Sequence, residues 1–372
     1  MGRRRRAEGD GGAAITAVRA RAFTIPTDAP EADGTLRWDA TTLVLVEADA
    51  GGHTGLGATY ESRAACEIVT SNLAPAVVGL DAFDIGGAFD AMLTQVRNIG
   101  SRGVAACAIA AVDQALWDLK ARLLGVALAN LLGRRREAVP CYGSGGFTSY
   151  DEQRLRAQLG GWVEEGGCQW VKMKVGRGDL TDLSRLEAAR DAAGEAGLFI
   201  DANGAYARNE ARDFARAAAD YDVTWFEEPV SSDDLAGLRH LRERAPGAMR
   251  IAAGEYGYEP FYFRHMLEAG AVDVLQADLT RCLGITGFLR AADLADAWST
   301  PFSCHCAPAF HLAAACAAPR LINQEWFHDH VRIEAMLFEG APRLKHGAIA
   351  PDLSQPGAGL TLKAADAERY AV

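Results

Sequence analysis

From about residue 14 to about residue 60 the chain reads as strands and turns. Ile15 to Ile25 is rich in β-formers, and Thr41 to Val46 (TTLVLV) is an apolar strand. Between them Pro26 to Gly34, crowded with Pro, Asp, Thr and Gly, is expected to be a polar loop, and Gly51-Gly52 a turn. From about 62 to 132 the apolar period becomes helical, with the clearest helix from Val104 to about Leu124. Asp113, Trp117 and Asp118 break its Ala-rich run, and Gly133 with Arg134, Arg135 and Arg136 marks a boundary.

After Val139 short apolar runs alternate with helix-length gaps. The runs are VPCYG (139–143), WVKMKV (170–175), LFIDANG (198–204), VTWFEEP (223–229), MRIAAGE (249–255), VDVLQAD (272–278), PFSCH (301–305) and LINQEW (321–326). Eight such units predict an α/β chain: a (β/α)8, TIM-like barrel behind an N-terminal α+β capping domain. A doubly wound sheet would want a Gly-rich phosphate loop after its first strand, of which Gly143-Ser-Gly-Gly146 is a weak echo.

What closes these runs carries the chemistry. In order they end on Lys172 and Lys174, Asp201, Glu227, Glu255, Asp278, His305 and Glu325, with gaps from Lys174 of 27, 26, 28, 23, 27 and 20 residues. Each gap is one βα unit, so the groups converge on the barrel's C-terminal mouth. Asp201, Glu227 and Glu255, from three adjacent strands, would repel one another without a cation, and all-oxygen ligands suit Mg²⁺. Asn203 and Glu228 follow two of them as candidate outer partners, Glu228 being either that or a solvated neighbour. Lys172 and Lys174, two apart on a strand, face inward together, and each is expected to lower the other's pKa, as a lysine base requires. Asp278 and His305 end neighbouring strands and suit a carboxylate–imidazole dyad. Glu325, if it faces a substrate carboxylate, is expected to stay protonated or to donate through a shared proton. Tyr142, Arg281, Asp28 and Trp38 are candidate substrate contacts.

Composition narrows the alternatives. Hydrophobic residues at 49% and charged residues at 23% argue against disorder. With 38 Lys plus Arg against 49 Asp plus Glu, the net charge of −11 repels phosphate backbones, so nucleic acid is not an expected partner. No apolar run nears the roughly 20 residues of a membrane span; the longest, Val104 to Val112, stops at Asp113. The opening Met1-Gly-Arg-Arg-Arg-Arg lacks an apolar stretch behind it and reads as a disordered tail, not a secretory signal. Eight Cys lie scattered among small apolar residues, which predicts a reduced, cytoplasmic protein. In Cys304-His305-Cys306, period-two alternation sends both thiols to one face and the imidazole to the other.

The strings KMK, DANG, FEEP, AGE, LQADLTRCLGITG and PFSCHCAPAFH resemble the enolase superfamily, and within it the mandelate racemase subgroup. The resemblance covers nearly the whole chain: Ala111 to Gly133 is similar to the last helix of that family's cap, and residues 340–372 to its returning tail. Together with the element pattern it divides the chain into a disordered basic tail at 1–13, a cap at 14–135, a barrel at 136–335 and a C-terminal segment at 336–372 that returns to the cap. It also implies that Asp201, Glu227 and Glu255 bind Mg²⁺ and that Lys174 is the base, with Lys172 beside the substrate carboxylate. By the same resemblance His305 with Asp278 acts on the opposite face, and Glu325 bonds the developing enediolate. The muconate cycloisomerase subgroup carries Lys where Asp278 stands, which disfavours it. Leu283-Gly284 departs from the family's Gly-Gly.

The chemistry so implied is removal of a proton α to a carboxylate. The polar residues of 27–38 suit a polyol, favouring dehydration of an aldonate or aldarate to a 2-keto-3-deoxy acid over racemisation or epimerisation of a 2-hydroxy acid. The expected partners are a small sugar-acid substrate and further copies of the chain. A metal-dependent hydrolase, cued by His328-Asp-His330, is disfavoured because that pair belongs on a first strand and is read here as a flanking loop. A non-catalytic carbohydrate-binding barrel would not need the lysine pair or the dyad.

Overall fold

A computed structural model gives the fold, described over residues 13–177 and 181–372; the arginine run Arg3 to Arg6 lies outside the described residues. The cap opens with an antiparallel sheet in the order β1 (Ala17–Ala32), β2 (Arg37–Ala50), β3 (His53–Tyr60). The segment from Pro26 is not the loop its composition predicts. β1 continues to Ala32, and the turn formers are taken up as a bulge: Pro26 pairs with Ala40 and Glu31 with Trp38, five steps on one strand against two on the other. A bulge tolerates Pro because the extra residues need not donate to the ladder. The true turn follows, where Asp33 Oδ1 accepts from the backbone N–H groups of Thr35 and Leu36 at 2.6 and 2.7 Å.

The predicted long helix forms over Val104–Leu123. It is buried nearly all round because it lies between the cap sheet and the barrel. Its charged residues are anchors. Asp113 accepts from Thr286 N–H and Oγ at 2.9 and 2.6 Å on the barrel helix Gly284–Ala297, and Asp118 accepts from Leu56 N–H and Ala358 N–H at 2.8 and 2.6 Å. The sheet approaches this helix closely at Gly55 and Gly57. A Cβ there would stand 2.1 Å from the carbonyl oxygens of Ala115 and Ala111.

The eight predicted strands all form, as β4 (Val139–Gly145), β5 (Trp170–Lys174), β6 (Gly197–Asp201), β7 (Val223–Glu227), β8 (Arg250–Ala253), β9 (Val274–Ala277), β10 (Phe302–Cys304) and β11 (Leu321–Phe327). Neighbours are parallel, and the ring closes through β11 on β4, Gln324 to Phe327 facing Cys141 to Ser144. Closure leaves no unpaired edge. Outward side chains such as Val171, Met173, Leu198 and Ile200 pack with the surrounding helices. Inward ones at the N-terminal end, Tyr142, Phe199, Trp225, Ala252 and Val274, fill the barrel floor, with Phe199 and Trp225 stacked at 4.8 Å.

The last residues stitch barrel and cap together. Ala348–Ile349 adds antiparallel to β4, Ala371 bridges to Phe23, and Val372 N–H donates to Ala22 O at 3.1 Å. Leu283 adopts a left-handed φ of 68°, the strained conformation that a glycine would enter freely, ahead of Gly284 at 78°. Among the described residues no helix is long and apolar enough to cross a membrane.

Candidate active site

One pleat above the floor, the inward positions change character. Lys172 is the register partner of Phe199, and its Nζ stands over the Tyr142 ring at 5.3 Å. Tyr142, a candidate substrate contact, is therefore part of the floor, and its hydroxyl is buried without a hydrogen-bond partner. β4 runs two residues beyond the predicted end, so the mouth residue of this strand is Ser144, whose Oγ lies 2.6 Å from Glu325 Oε1.

Asp201 and Glu227 close β6 and β7, and Glu255 lies two residues past β8. All three are buried, and one carboxylate oxygen of each falls within 4.8 Å of the others. Lys174 Nζ sits 2.5 Å from Asp201 Oδ2, and Lys172 Nζ sits 2.7 Å from Glu227 Oε1 and 2.8 Å from Glu325 Oε1. Burial, then Asp201, pushes Glu227 up to about 8 despite Lys172. Burial also opposes charge on Asp201, but the two lysines hold its pKa below the usual range. Glu255 Oε2 makes no hydrogen bond. Crowded, buried, all-oxygen and with an unpaired lone pair, this donor set fits Mg²⁺. Beside it Glu228 is buried, not solvated, and burial with the adjacent Glu255 raises its pKa well above the carboxylate range. Asn203, at φ 47°, lines the cavity with its Oδ1 unpartnered.

Two expected charge states do not hold. Burial works against the ammonium of each lysine, but the carboxylates outweigh both burial and the neighbouring lysine, so the pKa values rise. Glu325 is ionised, not protonated: burial opposes it, yet Lys172, His305 and Lys174 hold its pKa well below the usual range. In each case an opposite charge lies within hydrogen-bond distance, at 2.5–2.8 Å.

The dyad forms. His305 Nδ1 lies 2.7 Å from Asp278 Oδ2, which fixes the ring with Nε2 toward the cavity, 3.3 Å from Glu255 Oε2. Asp278 also accepts from Thr280 N–H and Oγ at 2.7 Å each. Burial opposes charge on His305, but Glu255, Glu325 and Asp278 overcome it and raise its pKa. Arg281 lines the same wall, its Nη1 3.3 Å from Glu255 Oε1.

Cys306 departs from the predicted alternation. β10 ends at Cys304, and Cys306 turns left-handed at φ 51°. Its thiol therefore enters the site, 3.3 Å from both His305 Nε2 and Glu325 Oε2.

Of these groups Lys174, Asn203, Glu255, Asp278, Arg281, His305 and Cys306 line a cavity of about 380 Å³. Lys174 and His305 reach it from β5 and β10, separated around the ring by β11 and β4. The cap supplies its ceiling through Leu36, Trp38, Thr41, Thr42, Tyr60, Glu61 and Ser62. Trp38, a candidate contact, is in this wall, packed edge-on to Phe147 at 5.5 Å. Asp28 lies outside it, bound to Arg154 Nη2 at 3.0 Å and 3.2 Å from His328 Nε2. His328 and His330 begin the helix His328–Leu337 and do not form a loop. His330 stacks on Tyr60 at 3.4 Å and accepts from Ala307 N–H at 3.2 Å, which spends it structurally. Tyr60 and Thr41 carried no sequence signal, since nothing in a cap strand's alternation says which face overhangs a barrel.

The N-terminal domain of the mandelate racemase/muconate lactonizing enzyme family matches residues 20–133, and an enolase C-terminal domain-like family matches residues 154–367. A mandelate racemase/muconate lactonizing enzyme-like protein from Rubrobacter xylanophilus, of known crystal structure, is 48% identical with a TM-score of 0.94, covering 96% of this chain and 100% of that one. The D-galactarolactone cycloisomerase of Agrobacterium fabrum is 32% identical over 286 residues, 76% of this chain and 75% of that protein. The L-talarate dehydratase of Polaromonas sp. JS666, crystallised with Mg and L-glucarate, is 30% identical with a TM-score of 0.87, over 97% of this chain and 98% of that one.

Proposed function

The chain belongs to the mandelate racemase/muconate lactonizing enzyme family of the enolase superfamily, and on that premise we propose that it dehydrates a sugar acid, an aldonate or aldarate, to a 2-keto-3-deoxy acid. It is an enzyme with Mg²⁺ as cofactor, and its relatives include sugar-acid dehydratases and cycloisomerases. Asp201, Glu227 and Glu255 are the residues we assign to Mg²⁺. Bound there, the ion supplies a Lewis acid for the substrate carboxylate.

The observation that carries the reading is that a lysine and an Asp-backed histidine open on one cavity from strands β5 and β10. Lys174 takes the proton from the α-carbon as the free amine: with Asp201 committed to the ion, the carboxylate that raises the Lys174 pKa would be spent and the ammonium's own proton would pass to solvent. Lys172 sets positive charge beside the carboxylate as it gains charge. Glu325 is held by Lys172, Ser144 and the Cys306 N–H at 2.8, 2.6 and 2.9 Å. His305, kept protonated by its acidic neighbours, gives its proton to the β-hydroxyl, which leaves as water. The resulting enol tautomerises to the keto acid. Hydroxyls of Thr41, Thr42, Tyr60 and Ser62 in the ceiling match a polyol chain, as does the guanidinium of Arg281 a distal carboxylate. We read residues 14–135 as cap, 136–335 as barrel and 336–372 as the returning segment.

A panel of aldonates and aldarates, galactarate and glucarate included, with purified protein and Mg²⁺ tests this by semicarbazide detection of 2-keto-3-deoxy acid. Turnover of at least one supports dehydration; none across the panel overturns it. An epimerase reading, in which His305 returns the proton to the other face of the α-carbon, predicts instead solvent deuterium in a recovered epimer.

A further inference from the structure

At the rim of the cavity, where the bulge of β1 meets the start of the helix His328–Leu337, Asp28, Glu31 and His328 each offer a ligand atom within 4.8 Å of the others. We propose that these three residues bind a borderline divalent transition metal such as Zn²⁺, at a site separate from the Mg²⁺ carboxylates.

Glu31 is fully buried, and while its Oε2 accepts from Trp38 Nε1 at 2.8 Å, its Oε1 has no hydrogen-bond partner. A buried carboxylate oxygen left unpaired is costly unless a proton or a cation completes it. His328 Nε2 lies 3.2 Å from both oxygens of Asp28, so the imidazole and the carboxylate already share a point that a metal can take over from a proton. Arg154 occupies Asp28 Oδ1, leaving Oδ2. Ligand atoms about 2.0–2.2 Å from a zinc ion lie about 3–4 Å apart, which small side-chain shifts reach from the observed spacing. Burial and the nearby Asp329 and Asp28 also raise the Glu31 pKa to about 8, a second sign that positive charge is wanted there.

The donor set decides which metal. One nitrogen and two carboxylates suit Zn²⁺, whereas Mg²⁺ prefers oxygen alone. The two sites therefore sort two ions. The rim ion ties the cap bulge to the barrel, and through the Glu31–Trp38 hydrogen bond it fixes one wall of the substrate cavity.

A second cluster, His305, Cys306 and Glu325, also offers three ligand atoms within 4.8 Å, so the test must separate them. Equilibrium dialysis of Mg²⁺-saturated protein against Zn²⁺ should retain one zinc per chain. His328→Ala and Asp28→Asn, both on the partly exposed side and tolerable to folding, should each weaken retention about tenfold or more, and Cys306→Ser should leave it unchanged. Substituted Co²⁺ should show a visible d–d band without the near-ultraviolet thiolate charge-transfer band. No zinc retained by the wild type, wild-type affinity in both rim variants, or loss in Cys306→Ser with a thiolate band each overturns the proposal.

Discussion

The floor and the mouth of the barrel are built from the same strands, one pleat apart, and they solve opposite problems. Phe199 and Asp201 are successive inward residues of β6, as are Trp225 and Glu227 of β7. Below, stacked aromatics fill the barrel with apolar volume; above, buried charges face one another across a cavity. The floor is uncharged, with the Tyr142 hydroxyl its one unpartnered polar atom among the residues named, whereas the mouth holds Glu255 Oε2 without a hydrogen bond and raises the pKa of Glu227. A two-residue step thus separates what stabilises each strand from what reacts at its end, and Trp225 Nε1, donating to Glu227 Oε2 at 3.0 Å, links the layers.

That contrast breaks most sharply at Lys174. Lys174→Ala should cost about a thousandfold or more in kcat, with Mg²⁺ affinity and Tm near those of the wild type by calorimetry. A strong loss of thermal stability instead would mean that mouth and floor are one cooperative core. Next, Trp225→Ala should behave in reverse, losing about 3–5 kcal/mol of unfolding free energy in a denaturant titration. It should keep measurable turnover at low temperature; an inactive but stable variant would count against the division. Smaller still, Asp278→Asn should lower kcat about a hundredfold. It also removes a charge that raises the His305 pKa. Because His305 acts as its protonated form, the alkaline fall in kcat should move to lower pH, and a profile that stays in place would deny the dyad its role.

The smallest effect belongs to the rim. Folded Glu31 holds its proton up to about pH 8, above the 4.5 of an unperturbed glutamate, so the folded state binds more protons between those values. Stability should therefore fall as pH rises through that window. With transition metals chelated, Tm should drop about 2–4 °C more between pH 5 and pH 8 in the wild type than in Glu31→Gln. Parallel curves would show that Glu31 is not buried as an acid.

The barrel was legible because each strand is enclosed on both faces and so reads as an unbroken apolar run, ended by the residue that faces the mouth. The cap was harder. Pro26 to Gly34 has the composition of a loop, and only pairing with β2 shows that it is carried as a bulge. Tyr142 was misplaced by one pleat because β4 continues through Ser144 and Gly145, small residues that carry no strand signal. Cys306 escaped because alternation stops where the backbone turns left-handed. The charge states of Lys172, Lys174 and Glu325 depend on distances between strands far apart in sequence, which no local pattern encodes.

Gly55 and Gly57 set the height of the ceiling. Where any other residue would wedge its first carbon against the carbonyls of the helix Val104–Leu123, these two let sheet and helix lie flush. That helix is pinned to the barrel through Asp113 and Thr286. A methyl group added to either glycine would therefore tilt Thr41, Thr42 and Tyr60 away from the carboxylates beneath. The size of molecule admitted would change while the reacting groups stayed put, and substrate range in such an enzyme can drift through side chains that never touch a substrate.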